Sequence, residues 1–363
     1  MQPKAITRFL FPSSLVVLHL ALFCTGSFSY QLISDDHFFL AQAAEKSIPE
    51  AVGYFSEALN GRFASHCMVA TLFSVIAEYP GLIPFYHLLL LSLFILALAA
   101  LLGSYLSLFR NSNSSTGRIL FYASFITAFF FFFFFDGRTE VWYWLSSTAV
   151  HLISLIIAMT AFSLLLSRNN SLLRTGLAAL LLFLAGGLSE TYAIMYALLL
   201  LFLIYIKEKK SVNLNRGRIL IALIALLTGI ALNLFFPGTN NRLQTLPAFD
   251  LLQALKNTLH SLALPFLRVQ YLPLKISLLI LLLWHAGRLA KISFQFKKQF
   301  LRVGLLTLLF ITTSFFLPCY ILSDIVADRM ASLGYLAGIL FLFDQLIFRQ
   351  EKSHGLHEFP RII

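Results

Sequence analysis

Apolar runs long enough to cross a hydrocarbon core follow one another through almost the whole chain, with short polar gaps between them. A spanning helix takes about 20 such residues, within a range of about 17–25. Inside lipid each segment must satisfy its own backbone polar groups, so such runs fold as helices. The runs near Phe9–Tyr30, Leu82–Phe109, Ile119–Phe135, Val141–Leu166, Leu172–Leu188, Thr191–Ile206, Ile219–Phe236, Leu272–His285, Val303–Leu322 and Ala331–Phe348 predict roughly ten spans. The expected fold is all-α: a polytopic transmembrane helical bundle forming one domain over residues 1–348, with a short cytoplasmic tail at 349–363. Composition agrees. The chain is 59% hydrophobic and 12% charged, against about 25% charged in an ordinary soluble domain.

The gaps alternate in character. One set is basic: Arg110–Arg118, Arg168–Arg174, Lys207–Arg218 and Arg288–Arg302. The other carries carboxylates, often beside an arginine. By the positive-inside rule the basic set is cytoplasmic and the carboxylates share the opposite face, with both termini cytoplasmic. The net charge of +11 is then a topology signal and does not point to nucleic acid. Residues 172–206 carry basic groups at both ends, so parity requires a break, and Gly186-Gly-Leu-Ser-Glu190 supplies it. Two long outer loops, 31–81 and 237–271, are expected to hold short amphipathic or interfacial helices around Phe38–Leu59, Phe63–Ala77 and Phe249–Leu262, the last bracketed by Pro247 and Pro265. Residues 1–30 have the charge and apolar pattern of a signal peptide, but their length favours an uncleaved first helix. Cys24, Cys67 and Cys319 have no metal or disulfide spacing, and no metal-ligand set is assigned.

Ionisable groups gathered at one membrane face mark a functional site. Ser34-Asp35-Asp36 follows the first span. A carboxylate pair there can act as a general base, bind a divalent cation, or simply cap the next helix. Arg62, after Asn60-Gly61, can clamp a phosphate or snorkel to the interface. In Asp136-Gly-Arg138-Thr-Glu140-Val-Trp-Tyr-Trp144, polar groups and aromatics recur on one helix face, as in a sugar cleft or an aromatic belt. Glu190 tips the 172–206 hairpin. Pro237-Gly-Thr-Asn-Asn241-Arg242 forms a turn whose amides can nest an anion beside an arginine. Asp324 and Asp328-Arg329 repeat the acid/arginine pattern.

Arginines for a phosphate, a carboxylate base and aromatics for a ring together suit glycosyl transfer from a lipid-phosphate sugar. In this order the motifs resemble a bacterial multi-pass membrane family of unknown function related to the GT-C and GtrII-like glycosyltransferases. The carriers are Ser34-Asp-Asp36, Asn60-Gly-Arg62, Glu140-Val-Trp-Tyr-Trp-Leu-Ser146, Glu190, Pro237-Gly-Thr-Asn-Asn-Arg242 and Asp328-Arg329. The resemblance implies a GT-C-like bundle in the bacterial cytoplasmic membrane. By that resemblance Asp35 or Asp36 would be the base; the constellation itself assigns Arg62, Arg138, Glu140, Trp144, Glu190, Asn241, Arg242, Asp328 and Arg329 to substrate binding. The expected partners are a polyprenyl-phosphate-linked sugar, a glycan or lipid acceptor and membrane lipids, and a divalent cation is the candidate cofactor. Two other classes stand beside this one: a transporter or flippase of lipid-linked glycans, and a non-catalytic envelope assembly protein.

Overall fold

The computed structural model describes residues 17, 20–30, 32, 35–109, 128, 139–167, 171–209, 214–239, 244, 250–267, 308, 311–313, 316 and 336, and within these the side chains of Glu140 and of several helix-end residues are not described. The described elements are helical throughout. They are α1 (the helical residues 20–28), α2 (Asp35–Glu45), α3 (Ile48–Ala58), α4 (Phe63–Glu78), α5 (Ile83–Phe109), α6 (Leu145–Leu166), α7 (Leu172–Leu188), α8 (Glu190–Lys209), α9 (Arg216–Phe235) and α10 (Leu251–Leu267). Two compact units separate: Met1–Phe129 with Arg138–Leu246, and Phe130–Gly137 with Pro247–Ile363.

Among the described residues, three stretches are long and apolar enough to cross a membrane: Pro80–Tyr105, Leu145–Leu166 and Arg216–Phe235. Phe63–Glu78, Leu172–Leu188 and Glu190–Tyr205 are apolar but shorter. The described part of the chain is thus all-helical and includes helices apolar enough to span a membrane. Of the ten expected spans, those at 119–135, 272–285, 303–322 and 331–348 lie largely or wholly outside the described residues.

In the first unit, α6, α7 and α9 form the centre, with α5 packed on α6 and α8 on α9. The break between α7 and α8 falls at Ser189, whose backbone is extended at φ −154° and ψ 116°. Close helix packing accounts for the glycines before it. A Cβ on Gly186 would stand 2.6 Å from the Leu226 carbonyl oxygen of α9, and one on Gly229 would strike the Phe183 carbonyl oxygen of α7. Larger residues would push the two backbones apart.

The amphipathic segment expected over Phe38–Leu59 is two helices rather than one. The Ser47 backbone N–H and hydroxyl both donate to Glu50 Oε2, at 2.9 and 2.6 Å, and Pro49 occupies the first turn of α3. Together these start a new helix. Helices α2, α3 and α4 close over a core of Ala43, Ala51, Phe55, Val69, Ala70, Phe73 and Ile76, which continues into Leu145 and Ala149 of α6. Fully burying an aromatic such as Phe55 contributes roughly 1.5–3 kcal/mol relative to leaving it in water. The layer is thereby fixed to the start of α6.

In the second unit, Asp250 Oδ1 caps α10 by accepting from the N–H groups of Leu252 and Gln253, at 2.9 and 3.1 Å. The helix runs past Pro265, the expected stop, to Leu267. Its exposed residues include Leu251, Leu252, Leu255 and Leu259, while Asn257, Thr258 and Ser261 are buried. Gln253, Lys256 and His260 share the exposed side with these leucines, so the helix turns part of its polar surface inward and part of its apolar surface outward.

Candidate functional site

The run Val141–Leu166, expected to be one helix, is interrupted at its start. A π-helical turn, Thr139–Tyr143, ends at Trp144, whose backbone is extended (φ −70°, ψ 107°), and α6 begins at Leu145 with no side-chain cap of its own. Helix starts leave N–H groups without intrahelical partners. Here the missing acceptor comes from elsewhere in the chain: Asp36 Oδ1 accepts from the Ser146 N–H at 3.0 Å. The Tyr30 hydroxyl donates to Asp36 Oδ2. Asp36 is 0% exposed. A carboxylate against a helix N-terminus is favoured by the helix dipole, which offsets much of the cost of burying the charge. Asp36 therefore caps α6 as well as standing in the first turn of α2. Its neighbour Asp35, the first residue of α2, is exposed.

Aromatics surround this latch. The Tyr30 ring meets His87 edge-on at 5.3 Å, and His87 meets Tyr143 at 5.5 Å. Trp142 is fully buried against Phe23 and Phe94, while Trp144 is half-buried. Tyr86 and Thr148 share a hydroxyl–hydroxyl hydrogen bond of 2.9 Å.

A second cluster forms where α4 begins and α7 gives way to α8. Arg62 Nε donates to Glu190 Oε2 at 2.7 Å, joining residues 128 positions apart, with side chains 13% and 26% exposed. Nε is the guanidinium nitrogen engaged; Nη1 and Nη2 have no partner among the described residues. The loop before Arg62 is fixed by Asn60, whose Oδ1 accepts from the Arg62 N–H at 3.1 Å and whose carbonyl lies 2.8 Å from His66 Nε2. Residue 61 has to be glycine, because any Cβ there would collide with the Asn233 carbonyl oxygen and with Thr239 Oγ1. Thr239 Oγ1 in turn donates to the Asn233 carbonyl at 2.6 Å, and Asn233 Nδ2 donates to the Gly186 carbonyl at 3.0 Å. Three sequence motifs thus meet in one place: Asn60-Gly-Arg62, Gly186–Glu190 and the turn beginning Pro237-Gly-Thr239.

Burial holds the pKa of His66 down to about 4. The hydrogen bond to the Asn60 carbonyl opposes this shift, the Arg62 charge adds to it and the Glu190 charge opposes it. His66 is neutral at pH 7, and Nε2–H is then the donor to Asn60.

The two clusters are joined through α6. Five residues beyond Ser146, His151 packs on Tyr192 with ring centroids 5.3 Å apart, and Tyr192 lies two residues beyond Glu190 on α8. Polar groups continue down this seam: Ser147, His151 and Ser154 are buried on α6, and the Ser154 hydroxyl is 3.3 Å from the Tyr196 hydroxyl.

Of the residues selected from sequence, Asp36 and the Trp144 break stand together, Arg62 and Glu190 are paired, and Asp35 lies at the surface. Arg138, the Glu140 side chain, Asn241, Arg242, Asp328 and Arg329 lie outside the described residues. Sequence reading missed Tyr30, His66 and Asn233. The signals were local ones: a polar ring at the end of the first run, and an asparagine one turn before Phe236-Pro-Gly. Among the described residues no group of three or more His, Cys, Asp or Glu is placed to hold a metal ion. Compared with protein-family models, with curated proteins and with solved structures, the chain matches none.

Proposed function

We propose that this chain is a glycosyltransferase of the bacterial cytoplasmic membrane, moving a sugar from a polyprenyl-phosphate donor to a cell-envelope glycan or lipid on the extracytoplasmic side. The observation that carries the reading is the meeting of Arg62, Glu190 and the turn at Pro237 beside the Asp36-capped start of α6, from segments far apart in sequence. Polar and charged groups so arranged are costly in a membrane protein unless they serve a polar ligand. Sidedness supports it too: Arg174 and Arg218 lie at the opposite end of the same helices, as expected if that end is cytoplasmic.

In this reading the unengaged Nη groups of Arg62 face the donor phosphate and Glu190 holds the guanidinium in place. Asp35, the exposed member of the carboxylate pair, takes the proton from the acceptor hydroxyl. The acceptor oxygen bonds to the anomeric carbon as the bond from that carbon to the phosphate oxygen breaks. The lipid phosphate leaves with the electron pair, and Arg62 offsets its charge. Asp36, with both oxygens engaged, positions the loop instead. The half-buried Trp144 offers a ring face for the sugar.

One observation favours a transporter. The polar seam of Ser147, His151, Ser154 and Tyr196 runs into a membrane-spanning helix, where buried polar groups often line a path. The deciding experiment reconstitutes the full chain in vesicles containing a labelled polyprenyl-phosphate sugar and envelope acceptors. Label moving into glycan or lipid, with release of polyprenyl phosphate, is expected. Transbilayer movement of the intact lipid-linked sugar with no transfer would replace this reading with the transporter.

A further inference from the structure

At the end of the bundle opposite the candidate site, α6 stops and α7 and α9 start. Two guanidinium groups converge there on Ser167. Arg174 Nη1 donates to the Ser167 hydroxyl, and Arg218 Nη1 donates to the Ser167 carbonyl at 3.4 Å. Arg218 is 5% exposed and spends its other nitrogens on the Thr175 hydroxyl at 2.9 Å and the Leu164 carbonyl at 2.7 Å. It closes the C-terminus of α6 and is fully used. Arg174 is half-buried, and its Nε and Nη2 have no partner among the described residues.

The three helices whose ends meet here, α6, α7 and α9, contain no Asp or Glu of their own. Residues 141–189 and 209–249 contain no Asp or Glu. The N-termini of α7 and α9, capped by Ser171 and Asn215, add their dipoles to the same corner. Exposed Arg216 stands on the first turn of α9. Beside Arg174, Leu172 and Leu173 are 89% and 73% exposed. Leucines so open, one turn from arginines at the end of membrane-spanning helices, belong at the boundary between acyl chains and headgroups.

We propose that this corner binds the phosphate headgroup of an anionic phospholipid, with Arg174 as the direct ligand, Arg218 and the two helix N-termini as fixed positive charge, and Leu172 and Leu173 against the acyl chains. Basic pockets between membrane helices hold anionic headgroups in this way. The site is independent of the transferase reading.

The test uses the full chain reconstituted in phosphatidylcholine vesicles containing spin-labelled phosphatidylglycerol or spin-labelled phosphatidylcholine. Electron paramagnetic resonance gives the fraction of each label held at the protein surface. The expected result is a preference for phosphatidylglycerol that falls about fivefold in Arg174→Gln, is kept in Arg174→Lys, and weakens in high salt. Equal retention of both lipids by the wild-type chain, or an undiminished preference in Arg174→Gln, would overturn the proposal. Displacement of the lipid by millimolar inorganic phosphate at fixed ionic strength would also overturn it, in favour of a soluble anion.

Discussion

Asp36 accepts a hydrogen bond at 3.0 Å from the backbone N–H of Ser146, 110 residues further along the chain, and in doing so starts a helix long and apolar enough to cross a membrane that has no side-chain cap of its own. A buried carboxylate in this position is a folding element before it is anything else. Asp36→Ala should leave the Ser146 N–H and the Tyr30 hydroxyl without their acceptor, at a cost of about 1–3 kcal/mol. Asp36→Asn, which keeps an acceptor oxygen, should cost less. Denaturant unfolding of the detergent-solubilised variants checks the order; an alanine variant as stable as wild type would show that the bond contributes nothing.

The break at Glu190 was legible in the sequence because charge at both ends of residues 172–206 required an even number of crossings, and the glycine pair gave a place for the turn. The loop at Asn60-Gly-Arg62 was legible as a motif, although its partners were not. The interruption at Trp144 was hidden. Neither glycine nor proline marks it, and a helix restart capped from 110 residues away leaves no local signature. The inward polar face of α10 was hidden for a related reason: periodicity shows that a helix has two faces, and surroundings decide which is buried.

The close approach of α7 and α9 gives a second prediction. Gly186→Val should force the helices apart, because even the Cβ would sit 2.6 Å from the Leu226 carbonyl oxygen. Overpacking of this kind typically costs about 1–3 kcal/mol. Since the Gly186 carbonyl also accepts from Asn233 Nδ2, the variant should loosen the Arg62–Glu190 cluster. Crosslinking yield between cysteines introduced at positions 62 and 190 should drop in the valine background; an unchanged yield would contradict the coupling.

The ion pair itself can be weighed. Arg62 and Glu190 are both largely shielded from solvent, so their coupling should exceed the roughly 0.2–1 kcal/mol of an exposed pair. A double-mutant cycle of unfolding free energies with Arg62→Gln and Glu190→Gln isolates it. Additive losses would mean that the two charges do not support each other.

His66 makes stability depend on pH. Its pKa is held at about 4 in the folded protein, below the roughly 6.5 of an unperturbed histidine. The unfolded chain then binds the extra proton first. The stability that neutral His66 contributes is complete above about pH 6.5 and is lost as the pH falls toward 4. Between pH 7 and 4, wild type should lose more stability than His66→Gln, whose amide can still donate to Asn60. Parallel melting-temperature profiles for the two proteins would contradict this assignment.

The most direct test of the account compares Asp35→Asn and Asp36→Asn in sugar transfer from a polyprenyl-phosphate donor, at equal amounts of folded, membrane-inserted protein. If the exposed carboxylate is the base and the buried one positions the loop, Asp35→Asn should lose about 10²–10⁴-fold in rate, while Asp36→Asn keeps most of its activity. Transfer at the wild-type rate by Asp35→Asn would contradict the account.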